Sequence, residues 1–266
     1  MKYNTLRKCF GPKETKVIAR LSYEKASIIA IEQFKEWFQF NKALRGQIIF
    51  RLKKKNILTS IKRGVYFYSP LEAGPAGRNI NEFLIPPVFF PRGNYYIGYS
   101  TMYNYYGFTD QLFQVMHILN TSLQKKKVIG KVQFRMVKIQ ASRMYGLEKI
   151  KIKDSEVTVS DKERTLVDLI YAPRPVGGLS RAFEILKEQV KRERIDTGRL
   201  IRYALKFPNV ATRKRIGFAL EQAGLDDKEL QPLLKNVKRT SFITLYPSSS
   251  RKGKTNKKWM VIENAS

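Results

Sequence analysis

The 266-residue chain has one cysteine, Cys9, and one histidine, His117. A lone thiol excludes an intrachain disulfide and a cysteine-based zinc cluster. One histidine and one cysteine far apart in sequence give no obvious nucleophile–base arrangement. The Gly-rich phosphate loop with its lysine and the dinucleotide fingerprint are both missing. So is any apolar run near the ~20 residues that span a bilayer; the most apolar stretch, Phe83 to Phe90, is broken by Pro86 and Pro87. The first residues lack the apolar core and small-residue cleavage site of a signal peptide. These absences lead to the expectation of a cytoplasmic protein with no membrane partner, no cofactor, no metal and no catalytic residues.

Acidic residues are scarce as well. The chain holds 51 Lys+Arg against 22 Asp+Glu, a net charge of +29. Its first 70 residues carry 16 basic and 4 acidic side chains, and the remainder 35 and 18. Neither part neutralises the other, so the expected partner is a polyanion, nucleic acid first. The length suits about two domains, and 43% hydrophobic content is enough to build cores.

The densest charge lies in Asn41 to Tyr68, where Lys42 to Arg63 contains eight basic residues and no acidic one. Leu44, Ile48 and Leu52 recur every fourth position and predict one buried face of a helix. Asn41 is placed to cap it. Leu58 to Ile61 and Val65 to Tyr68 predict a hairpin, with Gly64 supplying the turn. Ile49 and Phe50 lie off the main stripe and are expected to be covered by neighbouring elements. Two helices are predicted upstream, Pro12 to Leu21 and Ile31 to Phe38, joined by an apolar connector at Ile28 and Ile29. Three helices followed by a basic hairpin predict a winged helix-turn-helix that binds double-stranded DNA. The residues expected to do so are Asn41, Lys42, Arg45, Gln47, Arg51, Lys53 and Lys54 on the helix, with Lys62 and Arg63 on the wing.

Beyond a Pro/Gly-rich connector, with the domain boundary placed in residues 69–78, a second domain is expected. Its opening tyrosines, from Tyr95 to Tyr106, could stack on bases, but the intervening residues are not basic, which favours packing. Ser100 or Thr101 is expected to cap a short helix there. Strands are predicted at Leu112 to Leu119 and, after a lysine-rich turn at Gln124 to Lys127, at Val128 to Ile139. His117 sits among apolar residues and reads as structural. Two shorter strands precede Ser160, which with Glu163 forms a capping-box pattern. Asp161, Glu163 and Asp168 are explained by that helix start rather than by a metal. Gly177-Gly178 reads as a turn into a helix. Four helices are expected from Leu179 onward, with Asp196, Asn209 and Asp226 or Asp227 as caps. Phe242 to Tyr246 reads as a late strand, Ser248 to Lys258 as a basic flexible tail, and Trp259 to Ile262 as a last short strand that docks.

Four stretches, IKRGVYFY, YYIGYSTMYNYYGFTDQ, VSDKERTLVDLIYAPRPVGG and RKRIGFALEQAG, occur in the order found in the AbiEi family of antitoxins, which the chain resembles over roughly residues 14–235. The resemblance implies a DNA-binding autorepressor at operator inverted repeats. It also implies an antitoxin of a type IV toxin–antitoxin, abortive-infection system (a phage defence), acting against a nucleotidyltransferase toxin without a stable complex. It supplies no catalytic residues. The expected fold is α+β: a winged helix-turn-helix over residues 1–70, then a larger mixed α/β domain over 71–247 ending in a helical bundle-like portion, then a basic tail over 248–266. Arg213, Lys214 and Arg215 are candidates for an exposed antitoxin surface, with RNA as a further contact. The rival expectations are a nucleic-acid-processing enzyme that uses a winged helix for substrate binding, and a ligand-sensing transcription factor.

Overall fold

The computed structural model describes residues 10–73, 81–152 and 155–264; Cys9, most of the basic lead and part of the 69–78 boundary segment lie outside the described residues. The fold is α+β. It divides into two compact units, Met1–Val88 with Val128–Val132, and Phe89–Lys127 with Gln133–Ser266. The division therefore falls between Val88 and Phe89, later than the connector position read from the sequence.

The first unit runs α1 (Pro12–Tyr23), β1 (Ile28–Ala30), α2 (Ile31–Trp37), α3 (Lys42–Lys54), β2 (Leu58–Lys62) and β3 (Val65–Tyr68). Pro12 fits the first turn of α1, where its missing N–H is not needed. Ile28 and Ile29 are a strand rather than a connector. β1 pairs antiparallel with β3 in the order β1-β3-β2, with Ile28 opposite Phe67. Val17, Leu21, Phe34, Ile48 and Leu52 are buried at the centre of this unit. Gly64 turns the hairpin at φ 75°, a conformation that suits a residue without a Cβ. Pro86 and Pro87 lie in the short helix α4 (Ile85–Phe89), of which Ile85 is buried.

After α4 come β4 (Tyr95–Gly98), α5 (Ser100–Tyr105), β5 (Val115–Asn120), β6 (Lys125–Ile129), β7 (Val132–Lys138), β8 (Leu147–Ile152) and β9 (Ser155–Ser160), all in the second unit except Val128–Val132. The sheet order is β6-β7-β5-β4-β9-β8. The lysine-rich segment is thus an edge strand, not a turn; edge strands tolerate lysine because their outer face meets water. Tyr95, Tyr96, Tyr99 and Tyr103 are buried, as packing residues should be, whereas Tyr105 is 49% exposed. Neither Ser100 nor Thr101 caps α5. The Ser100 hydroxyl pairs with His117 Nδ1 at 3.0 Å, and Thr101 Oγ1 accepts from His117 N–H.

Helices α6 (Lys162–Tyr171), α7 (Leu179–Lys191), α8 (Thr197–Lys206), α9 (Val210–Gln222) and α10 (Asp227–Val237) follow, then the short strands β10 (Ile243–Thr244), β11 (Gly253–Asn256) and β12 (Val261–Asn264). The cap of α6 is Asp161, one residue later than the capping-box reading. Asp161 Oδ1 accepts from Arg164 N–H, and the Ser160 hydroxyl pairs with Thr165 instead. Asp196, Asn209 and Asp226 cap α8, α9 and α10. The basic stretch after Ser248 is not simply a tail. β11 and β12 pair antiparallel, β10 joins β12 in parallel, and Trp259 between them is fully buried. Among the described residues, no helix is long and apolar enough to cross a membrane.

Candidate nucleic-acid interface

Asn41 starts α3 by accepting the Leu44 N–H on its side-chain oxygen at 2.8 Å. The buried face is Ile48, Ile49 and Leu52, with Leu44 and Arg45 half-buried beside them. The opposite face is open. Lys42, Gln47, Arg51, Lys53 and Lys54 are exposed, together with Ala43, Gly46 and Phe50. Ile49 is covered as expected, but Phe50 is not; it is 67% exposed. Helical phase explains this: residues two apart differ by about 200° around the axis, so Phe50 stands opposite buried Leu52. The same phase carries Arg45 into the buried side, where its guanidinium has a long 3.5 Å contact with the Phe40 carbonyl. Arg45 is therefore not aligned with the outward basic face on which the sequence reading placed it.

Electrostatics differ along the helix. Lys55, just past its end, pairs with the buried carboxylate of Glu14 from α1, and Arg51 lies 4.0 Å from the same carboxylate. The side chains of Lys42, Lys53, Lys54 and Arg63 have no hydrogen-bond or ion-pair partner among the described residues. Arg63 is exposed at the hairpin turn, while half-buried Lys62 donates to the Val88 carbonyl. The hairpin thus presents one free cation rather than two. Sequence reasoning missed Phe50 and Gly46 as parts of the open face. A Cβ on Gly46 would meet nothing within 4 Å, so packing does not require glycine there, although glycine costs a helix about 1 kcal/mol relative to alanine.

Arg213, Lys214 and Arg215 do not form an exposed patch. Lys214 is buried and donates to the Ser241 and Met260 carbonyls. Arg213 Nε donates to Phe207 O at 3.1 Å, and Arg215 donates to Leu245 O and Thr244 O at 3.0 and 3.1 Å. Their side chains bond chain carbonyls around α9, with Lys214 buried and Arg213 and Arg215 half-buried. Among the described residues, no group of three or more His, Cys, Asp or Glu side chains is arranged to hold a metal ion.

No family model matches the chain, and no curated protein matches it. Among solved structures it is similar to the crystal structure of the RV2827C protein from Mycobacterium tuberculosis, with a TM-score of 0.70 and 13% sequence identity over 94% of this chain and 91% of that one. At that identity the likeness is one of fold.

Proposed function

We propose that the first unit is a winged helix-turn-helix that binds double-stranded DNA through α3, and that the chain is an autorepressor and antitoxin of the AbiEi kind. The observation that carries the DNA-binding reading is the open face of α3. It gathers Lys42, Gln47, Arg51, Lys53 and Lys54 around exposed Phe50, and α3 contains no acidic residue. The element order α1, β1, α2, α3, β2, β3, with β1 completing the hairpin sheet, supports the same reading. In it, α3 enters the major groove, Gln47 and Lys42 reach base edges, and Arg63 on the wing meets phosphate. The antitoxin role rests on the ordered family-like stretches in the sequence.

The test is binding to the chain's own promoter against scrambled DNA of equal length, titrated with salt. If 6–10 phosphates are contacted, affinity falls by about 10³–10⁵ between roughly 50 and 200 mM salt. Weak binding that is flat with salt and blind to sequence rejects the DNA reading. For the antitoxin role, a nucleotidyltransferase gene adjacent to this one, whose induced toxicity the chain relieves, is the expected result; no relief in that pairing rejects it.

A further inference from the structure

The second unit holds a cleft of about 820 Å³ that the DNA-binding reading leaves unused. On one side, His117 of β5 and Arg135 of β7 are neighbours in a parallel pairing. Tyr99 stands edge-on to His117, ring centroids 5.7 Å apart. A second side is the turn from α6 to α7, with Arg174 and Gly177-Gly178. Arg215 of α9 and the segment Tyr246 to Ser249 complete the lining.

Three guanidinium groups line this cleft and no carboxylate does. Elsewhere in the unit, fully buried Arg164 meets Asp168 and exposed Arg199 approaches Glu163. Here Arg135 and Arg174 have no hydrogen-bond or ion-pair partner among the described residues, while Arg215 is fixed by two carbonyls. Arg135 and Arg174 are exposed, so water solvates them in the empty cleft and both are available to an anion that enters it. His117 adds no charge near neutrality, since burial and Arg135 lower its pKa to about 4. The first turn of α7 also opens on the cleft, and its N-cap, Gly178, has no side chain with which to satisfy the free N–H groups; such N–H groups favour an anion. The volume far exceeds that of one phosphate and falls in the range of sites for compact organic ligands, roughly 300–1,000 Å³. Tyr171, 41% exposed, and half-buried Tyr246 add aromatic surface to the walls.

We propose that this cleft binds a nucleoside phosphate, with Arg135, Arg174 and Arg215 taking the phosphate groups and the tyrosine-lined walls taking the base. The site lies within the second unit and does not depend on operator binding by α3. Two sources share this chemistry, a free nucleotide and the 5′-phosphorylated end of a strand.

The experiment is calorimetric titration of the full chain with ATP, GTP, CTP, UTP, inorganic phosphate and a 5′-phosphorylated tetranucleotide. It is repeated with Arg135→Ala, Arg174→Ala and, as a control outside the cleft, exposed Lys228→Ala. One saturable site for a nucleotide is expected. Each cleft variant should weaken it by roughly tenfold or more, the scale of one lost hydrogen bond to a charged group. Lys228→Ala should leave it unchanged, and the melting temperature of all three variants should match the parent. Saturation by the tetranucleotide alone, with the same variant pattern, supports the cleft and makes a strand end its source. Absence of saturation with every nucleotide-bearing probe, saturation by inorganic phosphate with equal affinity, or equal weakening by Lys228→Ala overturns the proposal.

Discussion

Asp168 accepts two hydrogen bonds from Arg164, one helical turn earlier on α6, at 3.3 Å from Nε and 3.0 Å from Nη2, and both side chains are fully buried. Two further guanidinium N–H groups are also used. Nη2 reaches Tyr96 Oη at 2.9 Å and Nη1 reaches the Arg143 carbonyl at 3.2 Å. Arg143 lies 3.8 Å from the same carboxylate, so one acid offsets two cations. Asp168→Asn leaves them uncompensated and should destabilise the second unit by about 3–5 kcal/mol in urea unfolding. Replacing both partners, Arg164→Met with Asp168→Leu, should recover only part of that loss: a buried pair gains little over packed apolar groups, but Arg143 stays without its acid. A single variant within roughly 0.5 kcal/mol of the parent, the usual range for surface substitutions, would contradict this account.

His117 provides a pH signature. Burial, and then the nearby Arg135, lower its pKa to about 4 from the ordinary 6.5. Between those values the unfolded chain binds the extra proton and the folded chain does not, so stability falls as the pH drops from about 6.5 towards 4. The loss is on the order of 3 kcal/mol when complete. His117→Gln, which keeps a polar partner for Ser100, should lose less stability between pH 7 and pH 4.5 than the parent does. Carboxylates titrate in both proteins, so the difference between their urea midpoints isolates the histidine. Identical falls in the two would exclude it as the cause.

The C-terminal strands are part of the core. A Cβ on Gly217 of α9 would lie 2.0 Å from the ring of Trp259, and the indole N–H donates to Glu221 at 2.6 Å. Gly217→Ala therefore forces a rigid ring out of place and should cost about 1–3 kcal/mol. Trp259→Ala should cost about 3–5 kcal/mol, and a chain ending at residue 247 should be at least as unstable. Melting temperatures of the three variants check this; a truncated chain as stable as the parent would restore the reading of this segment as a tail.

Locally determined features were readable before the structure. Asn41, Asp196 and Asn209 cap their helices because a side chain bonds an N–H three residues on, and Gly64 turns a hairpin between adjacent strands. What escaped depends on distant partners. β1 has only three residues and is defined by pairing with β3. Docking of Trp259 to Ile262 was legible, but its partner was not: the Trp259 ring is buried because Gly217 leaves room for it. Arg213 to Arg215 are consecutive, so 100° steps already deny them a shared face, but the carbonyls that hold them come from Phe207 and from Ser241 to Leu245. The cleft was illegible for the same reason: its arginines stand at 135, 174 and 215.

The open face of α3 makes the sharpest prediction for the first unit. Phe50 is 67% exposed and Gly46 has open space around it, so neither holds the fold together. Phe50→Ala should leave unfolding nearly unchanged, and Gly46→Ala should stabilise the helix by up to about 1 kcal/mol. Both lie on the side of α3 that the DNA reading presses into the groove, so both should weaken operator binding: Phe50→Ala by lost apolar contact, Gly46→Ala by crowding the backbone's approach. Gln47→Ala should relax sequence preference, at a cost of about 1–3 kcal/mol if it reads a base bidentately. Arg63→Ala should weaken all sequences alike and flatten the salt dependence by about one contact. Arg45→Ala should act mainly on stability, since its side chain is half-buried. Stability and affinity thus move in opposite directions at Gly46, which no purely structural role produces. Fluorescence-anisotropy titrations beside thermal melts of the same variants decide the point. If Gly46→Ala and Phe50→Ala bind operator DNA as the parent does, α3 is not the groove-facing element and the interface must be sought elsewhere on the chain.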